Sequence, residues 1–171
     1  MSKIFKAIDE NAERWLLLVF YVMLVGTMFI EVIRREVFSY SSIWGEEIVR
    51  SSFIYLAWIG AAAAVKVRGH IRIDVLMHYV PRKAKTLLYI FGDIVMFVVA
   101  CIALYWSFES VHVSWKFNSV THGLRISQVW FLMAVPVGFF LMILRLVQSL
   151  IRDLSDLRAG RPVYEGNKLF D

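Results

Sequence analysis

WLLLVFYVMLVGTMFIEVI, residues 15–33, holds a single charge, Glu31. A bilayer's hydrocarbon core is about 30 Å thick and a helix needs roughly 20 apolar residues to cross it, so this stretch reads as a membrane span. Working outward from it, three more such runs follow. Ile48 to Val65 carries only Arg50, close to its start; Thr86 to Phe108 contains Asp93; Ile126 to Leu144 has no charge and includes Pro136. The chain as a whole is 59% hydrophobic, against about 45–50% in a soluble domain. With no water in the hydrocarbon to satisfy backbone groups, runs of this length are helical, and they lack the roughly ten-residue alternation of barrel strands. The predicted fold class is all-α, with four transmembrane helices over about 15–33, 48–65, 86–108 and 126–148 and short interfacial amphipathic segments. A single membrane domain over residues 1–171 is expected, with a cytoplasmic tail at 149–171.

Orientation follows from the basic residues, because short loops rich in Lys and Arg stay in the cytoplasm. Lys3, Lys6 and Arg14 precede the first span, Lys66, Arg68, Arg72, Arg82, Lys83 and Lys85 lie between the second and third, and Arg145, Arg152, Arg158, Arg161 and Lys168 close the chain. All three groups fall on one side. The other side holds Arg34, Arg35, Lys116 and Arg125, the first two followed by Glu36, Glu46 and Glu47. Both termini are therefore expected in the cytoplasm of a multi-pass protein of the bacterial inner membrane. The amino terminus reads as a signal anchor, since its apolar run is too long for a cleaved signal and no small-x-small pattern follows it. The same asymmetry accounts for the net charge of +5, and no nucleic-acid partner is expected.

The polar connections, about 34–47, 66–85 and 109–125, are too short to build a folded domain with its own core. In the inner one, Ile71, Ile73, Val75, Leu76, Tyr79 and Val80 alternate with Arg72, Asp74 and His78 before Pro81, which suits an element lying in the membrane interface. Val37, Phe38, Ile43 and Trp44 suggest the same for the first outer connection. After the fourth span, Val147, Leu150, Ile151, Leu154 and Leu157 recur at helical spacing, so the helix continues until Gly160 and Pro162. Cys101 is the sole cysteine, which excludes a disulfide framework and a cysteine-rich metal site. His70 and His78 fall in the inner connection and His112 and His122 at the outer edge, a poor arrangement for two haem ligands at matched depth. No triad, P-loop, HExxH or glycine-rich phosphate motif is present, so neither an enzyme nor a bound cofactor is expected.

Ala57, Gly60, Ala61 and Ala64 fall at i, i+3, i+4 and i+7 of the second span, a smooth face where another backbone can approach closely. It serves either packing inside the bundle or a seam with a partner. Charges within spans ask for partners too. Glu46, Glu47 and Arg50 have i, i+4 and i, i+3 spacing at the outer start of the second helix, and Glu31 reaches the same level, so a Glu31–Arg50 ion pair is one expectation. Asp93 is the deepest acid and Arg145 enters the fourth span at comparable depth, so a second pair, Asp93–Arg145, is another. A proton or ion relay needs several acids stacked along a path, and Asp93 alone lies well inside.

The runs Trp44-Gly-Glu-Glu-Ile-Val-Arg50, Trp58-Ile-Gly-Ala-Ala-Ala-Ala and Gly69-His-Ile-Arg-Ile-Asp74, then Pro81 and Val135-Pro-Val-Gly-Phe-Phe-Leu-Met-Ile-Leu-Arg145, resemble the small membrane subunit of TRAP transporters, the DctQ-type family. The resemblance covers nearly the whole chain. It implies a tripartite, ATP-independent system in which a periplasmic substrate-binding protein, a small and a large membrane subunit take up an organic acid, sialic acid or a C4-dicarboxylate, on a sodium gradient. Substrate and sodium sites belong to the large subunit, and the small one is a scaffold embedded in membrane lipids. On that resemblance Trp44, Glu46, Glu47 and Arg50 outside, and His70 and Asp74 inside, take structural and partner-contact roles. Read residue by residue, Trp44 equally fits an aromatic belt anchor and His70 and Asp74 a local turn or cap; Trp58, near mid-membrane, fits helix packing. Two other functions stay open on sequence: a self-sufficient small oligomeric secondary transporter with Asp93 as coupling site, and a membrane-anchor subunit of an oxidoreductase.

Overall fold

A computed structural model of the protein describes residues 3–66 and 82–159. They form α1 (Lys3–Phe38), α2 (Ile43–Lys66), α3 (Arg82–Lys116), a single turn α4 (Val129–Leu132) and α5 (Ala134–Arg158). Among the described residues the only extended pairing is one antiparallel bridge, Val120 with Ser127. The all-α class is as expected, and the helices of the four spans are each long and apolar enough to cross a membrane. The inner connection that carries His70 and Asp74 lies outside the described residues.

Where helices stop has local causes. The 35 residues of α3 correspond to about 52 Å at about 1.5 Å per residue, so the helix outruns the apolar stretch that ends at Phe108. Nothing in Glu109–Lys116 breaks it: no Gly or Pro occurs there. It ends where Asn118 takes a left-handed φ of 47°, and the Asn118 and Ser119 amides donate back to the Trp115 and Ser114 carbonyls, each at 3.1 Å. That is the bond pattern of a Schellman cap. Ser39, also left-handed at φ 51°, ends α1. Val37 and Phe38 belong to α1, and Ile43 and Trp44 to α2, so the separate interfacial segment expected there is instead two helix ends joined by residues 39–42. The break between α4 and α5 falls at Met133, three residues before Pro136, and Pro is tolerated in the first turn of α5 because no N–H needs an intrahelical acceptor there.

Packing places α2 between α1 and α5, and α3 on the far side of α5, so the long helices run in the order α1–α2–α5–α3. Among the described residues no comparably extensive contact joins α1 to α3. The core is accordingly small: Ala62 and Val65 of α2, Ala100 of α3, and Met142 and Leu146 of α5, with Ala61, Met96, Phe97 and Phe139 packed around them. The α2–α5 approach is close. A Cβ on Gly138 would lie 2.5 Å from the Cβ of Trp58, and the Trp58 ring packs on Phe139 with centroids 4.6 Å apart. Trp58 is thus a packing residue. Phe20 of α1 stacks on Tyr55 of α2 at 4.9 Å, but most apolar side chains of α1, Trp15, Val22 and Phe29 among them, point outward.

Candidate functional site

Polar side chains gather at the two ends of this row of helices. At the loop end, Glu31 of α1 accepts hydrogen bonds from both the hydroxyl and the backbone N–H of Ser42, the latter at 3.3 Å. Arg34, one turn on, lies 3.5 Å from the same carboxylate and also donates to the Ser42 hydroxyl at 3.4 Å. Its guanidinium sits 5.0 Å from the Tyr40 ring and 5.2 Å from the Trp44 ring, a spacing at which a cation is drawn to an aromatic face. The expected Glu31–Arg50 pair is therefore replaced. Glu31 meets Ser42 and Arg34, which the residues 39–42 turn brings within reach, while Arg50 is exposed and makes no ion pair or hydrogen bond among the described residues.

Glu47 has a different task. Its Oε1 accepts the Gly123 N–H at 2.6 Å and its Oε2 the Leu124 N–H at 2.9 Å, from the connection between α3 and α4. That connection is folded on itself by Thr121 N–H to the Ile126 carbonyl and Gln128 N–H to the Ser119 carbonyl, each at 2.9 Å. A buried carboxylate with two charge-assisted bonds pins the tip of the connection to the start of α2. Gly123 permits the fit, since a Cβ there would come within 2.9 Å of the Ile43 and Trp44 backbone. Glu46, one residue earlier, is exposed.

At the opposite end, Arg145 of α5 pairs through Nε with Glu13 of α1 at 2.5 Å, and its Nη1 donates to Gln148 at 2.6 Å. Ser149 donates to the Asp93 carboxylate at 2.8 Å. Asp153, one turn further along α5, is fully buried. Four ionisable side chains, Glu13 of α1, Asp93 of α3 and Arg145 and Asp153 of α5, are thus withdrawn from solvent together. Both Asp93 and Arg145 are buried. The acid found on Arg145 is Glu13, which the sequence reading passed over because it sits two residues before the apolar run begins. A cation inside a span needs an anion at its own depth, and Glu13 satisfies that test.

The small-residue face lies at a boundary. Ala57 is exposed; Gly60, Ala61 and Ala64 are half-buried, with Ala61 against the core and Leu17 of α1 as the neighbour of Gly60 at 3.8 Å. The small residue at the centre of the core is Ala62, one position round the helix. Among the described residues no group of three His, Cys, Asp or Glu could hold a metal ion. His112 and His122 are exposed.

Residues 24–156 match the family model of tripartite ATP-independent periplasmic transporters, DctQ component. The chain belongs to this family. The match takes in Glu31, Glu47, Asp93 and Arg145 and leaves out Glu13. Three relatives of this DctQ component are informative. A sialic acid TRAP transporter permease protein of Haemophilus influenzae is 29% identical over 145 residues, 82% of this chain and 22% of the relative. An isethionate TRAP transporter permease protein of Oleidesulfovibrio alaskensis is 23% identical, over 84% of this chain and 24% of its own. A sialic acid TRAP transporter small permease protein of Vibrio cholerae is 24% identical over 86% of this chain and 84% of its own length. The DctQ component described here thus spans about a quarter or less of the first two and most of the third.

Proposed function

We propose that this chain is the small membrane subunit of a sodium-driven, binding-protein-dependent TRAP transporter for an organic acid, and that it serves as a scaffold for a large transport subunit. The observation that carries this reading is the pairing of the family match with an open row of helices. α1 and α3 leave long rows of apolar side chains uncovered, which suits a chain that packs on something larger. In two relatives the matched part is joined to a sequence some three times its length within one permease protein, which supports a large membrane partner here. On this reading Ala57, the exposed member of the small-residue face, lies toward that partner, and Glu46 lies at the outer rim. Trp44 and Glu47 are structural, and the loop end, placed in the periplasm by the basic residues at the opposite end, meets the substrate-binding protein. The substrate class is an organic acid of the sialic acid or C4-dicarboxylate type, recognised by the other components. No acid-lined path crosses the described residues, which supports a scaffold over a self-sufficient carrier.

The test is to tag the carboxyl terminus, extract the chain gently from its native membrane and identify stoichiometric companions. One larger, many-helix membrane protein is the expected companion. Recovery of this chain alone, as an oligomer that transports by itself, would overturn the scaffold reading.

A further inference from the structure

Between α1 and α2 at the loop end lies an open groove of about 530 Å³. Met28 and Val32 of α1 and Val49 and Phe53 of α2 give it an apolar lining, and Arg35, Glu46 and Arg50 add charge. Among the described residues none of these three charged side chains has an ion-pair or hydrogen-bond partner. Glu31 also lines the groove, but Ser42 and Arg34 already engage its carboxylate. Arg50 stands two residues inside the apolar run of α2 that begins at Ile48. A guanidinium at that depth, beside apolar side chains, calls for an anion.

The layout says which anion. A free small anion has no use for the apolar lining, and an acidic side chain leaves Glu46 without a counter-charge. A lipid with phosphate, ammonium and acyl chain meets all three features at once. We propose that the groove binds an aminophospholipid: phosphate held by Arg35 and Arg50, ammonium against Glu46, and one acyl chain along Met28 and Phe53. Guanidinium groups suit phosphate oxygens because their planar N–H pairs match the oxygens' spacing. The site stands on this chain's own residues and does not depend on the scaffold reading.

Native mass spectrometry of the full chain, alone and with whatever membrane protein co-purifies, tests it with phosphatidylethanolamine, phosphatidylglycerol and diacylglycerol as probes. Phosphatidylethanolamine is expected to stay bound to the highest activation energy and diacylglycerol to be lost first. Arg35→Ala with Arg50→Ala is expected to lower phosphatidylethanolamine affinity about tenfold or more, and Glu46→Gln to remove its advantage over phosphatidylglycerol. All three side chains are exposed, so the variants should fold, and unchanged helical circular dichroism checks that. Equal retention of diacylglycerol, or undiminished binding in the double variant, would overturn the proposal. So would a lipid-free complex from which Arg50→Ala releases the co-purifying protein, since that outcome assigns the groove to an acidic side chain of the partner.

Discussion

Glu47 and Arg145 illustrate how one residue type changes meaning with its surroundings. Both are charged groups at the edge of an apolar run, and both end up buried, but Glu47 is satisfied by backbone amides and Arg145 by the Glu13 carboxylate. The Glu47 bonds carry a prediction. In Glu47→Ala, the amides of Gly123 and Leu124 lose their acceptors and the connection between α3 and α4 is released from α2. Hydrogen exchange at those two amides is expected to speed up about tenfold or more, with little change in the middle of α5. Unchanged exchange would show that the connection is held by other contacts. Glu47 was legible as an important position through its sequence neighbourhood, but its partners were not. They lie 76 and 77 residues away, and backbone amides have no residue type to read. Glu31 meets no Arg50 for a related reason: equal depth along two helices is not proximity, and Ser42, a neutral residue in a short turn, is the nearer donor.

At the scale of helices, composition sets where spans lie and small residues set how close they come. Gly138 faces Trp58 at a distance that leaves no room for a methyl group, whereas a Cβ on Gly92 of α3 meets nothing within 4 Å. Gly138→Ala is expected to push α2 and α5 apart and destabilise the purified protein by about 1–3 kcal/mol, read as a fall in Tm in detergent. Gly92→Ala in the same assay is the control and should be neutral or slightly stabilising, since Ala is the better helix former. Equal effects of the two would mean that the α2–α5 approach is not tight. The small-residue stripe of α2 is not where α2 and α5 come closest, which is at Trp58. It missed the glycine on the other helix, because a lone glycine in an apolar run has no pattern until its neighbour is known. Helix ends were harder still: α3 runs to Lys116 because Glu109–Lys116 has no breaker, and hydropathy measures solvent preference, not backbone conformation.

For the whole molecule, the proposed orientation, argued from the basic residues alone, puts the Glu13–Arg145 end in the cytoplasm. A green fluorescent protein fused to the carboxyl terminus is expected to fluoresce, and alkaline phosphatase inserted near residue 122 to be active. The reverse pattern would invert the outer and inner assignments and move the lipid groove to the inner leaflet. Four spans, their helical nature and the family were already present in the sequence by itself, because each is written in local quantities: the length of apolar runs, and residues close together along the chain. The order α1–α2–α5–α3, the Glu13–Arg145 pair and the groove between Arg35 and Arg50 were decided only by the tertiary structure. Apolar helices in lipid have no hydrophobic preference for one another over the solvent around them. Which neighbours they choose depends on shape and on a few buried polar contacts between residues far apart in the chain, and the order of amino acids along one strand does not list those directly.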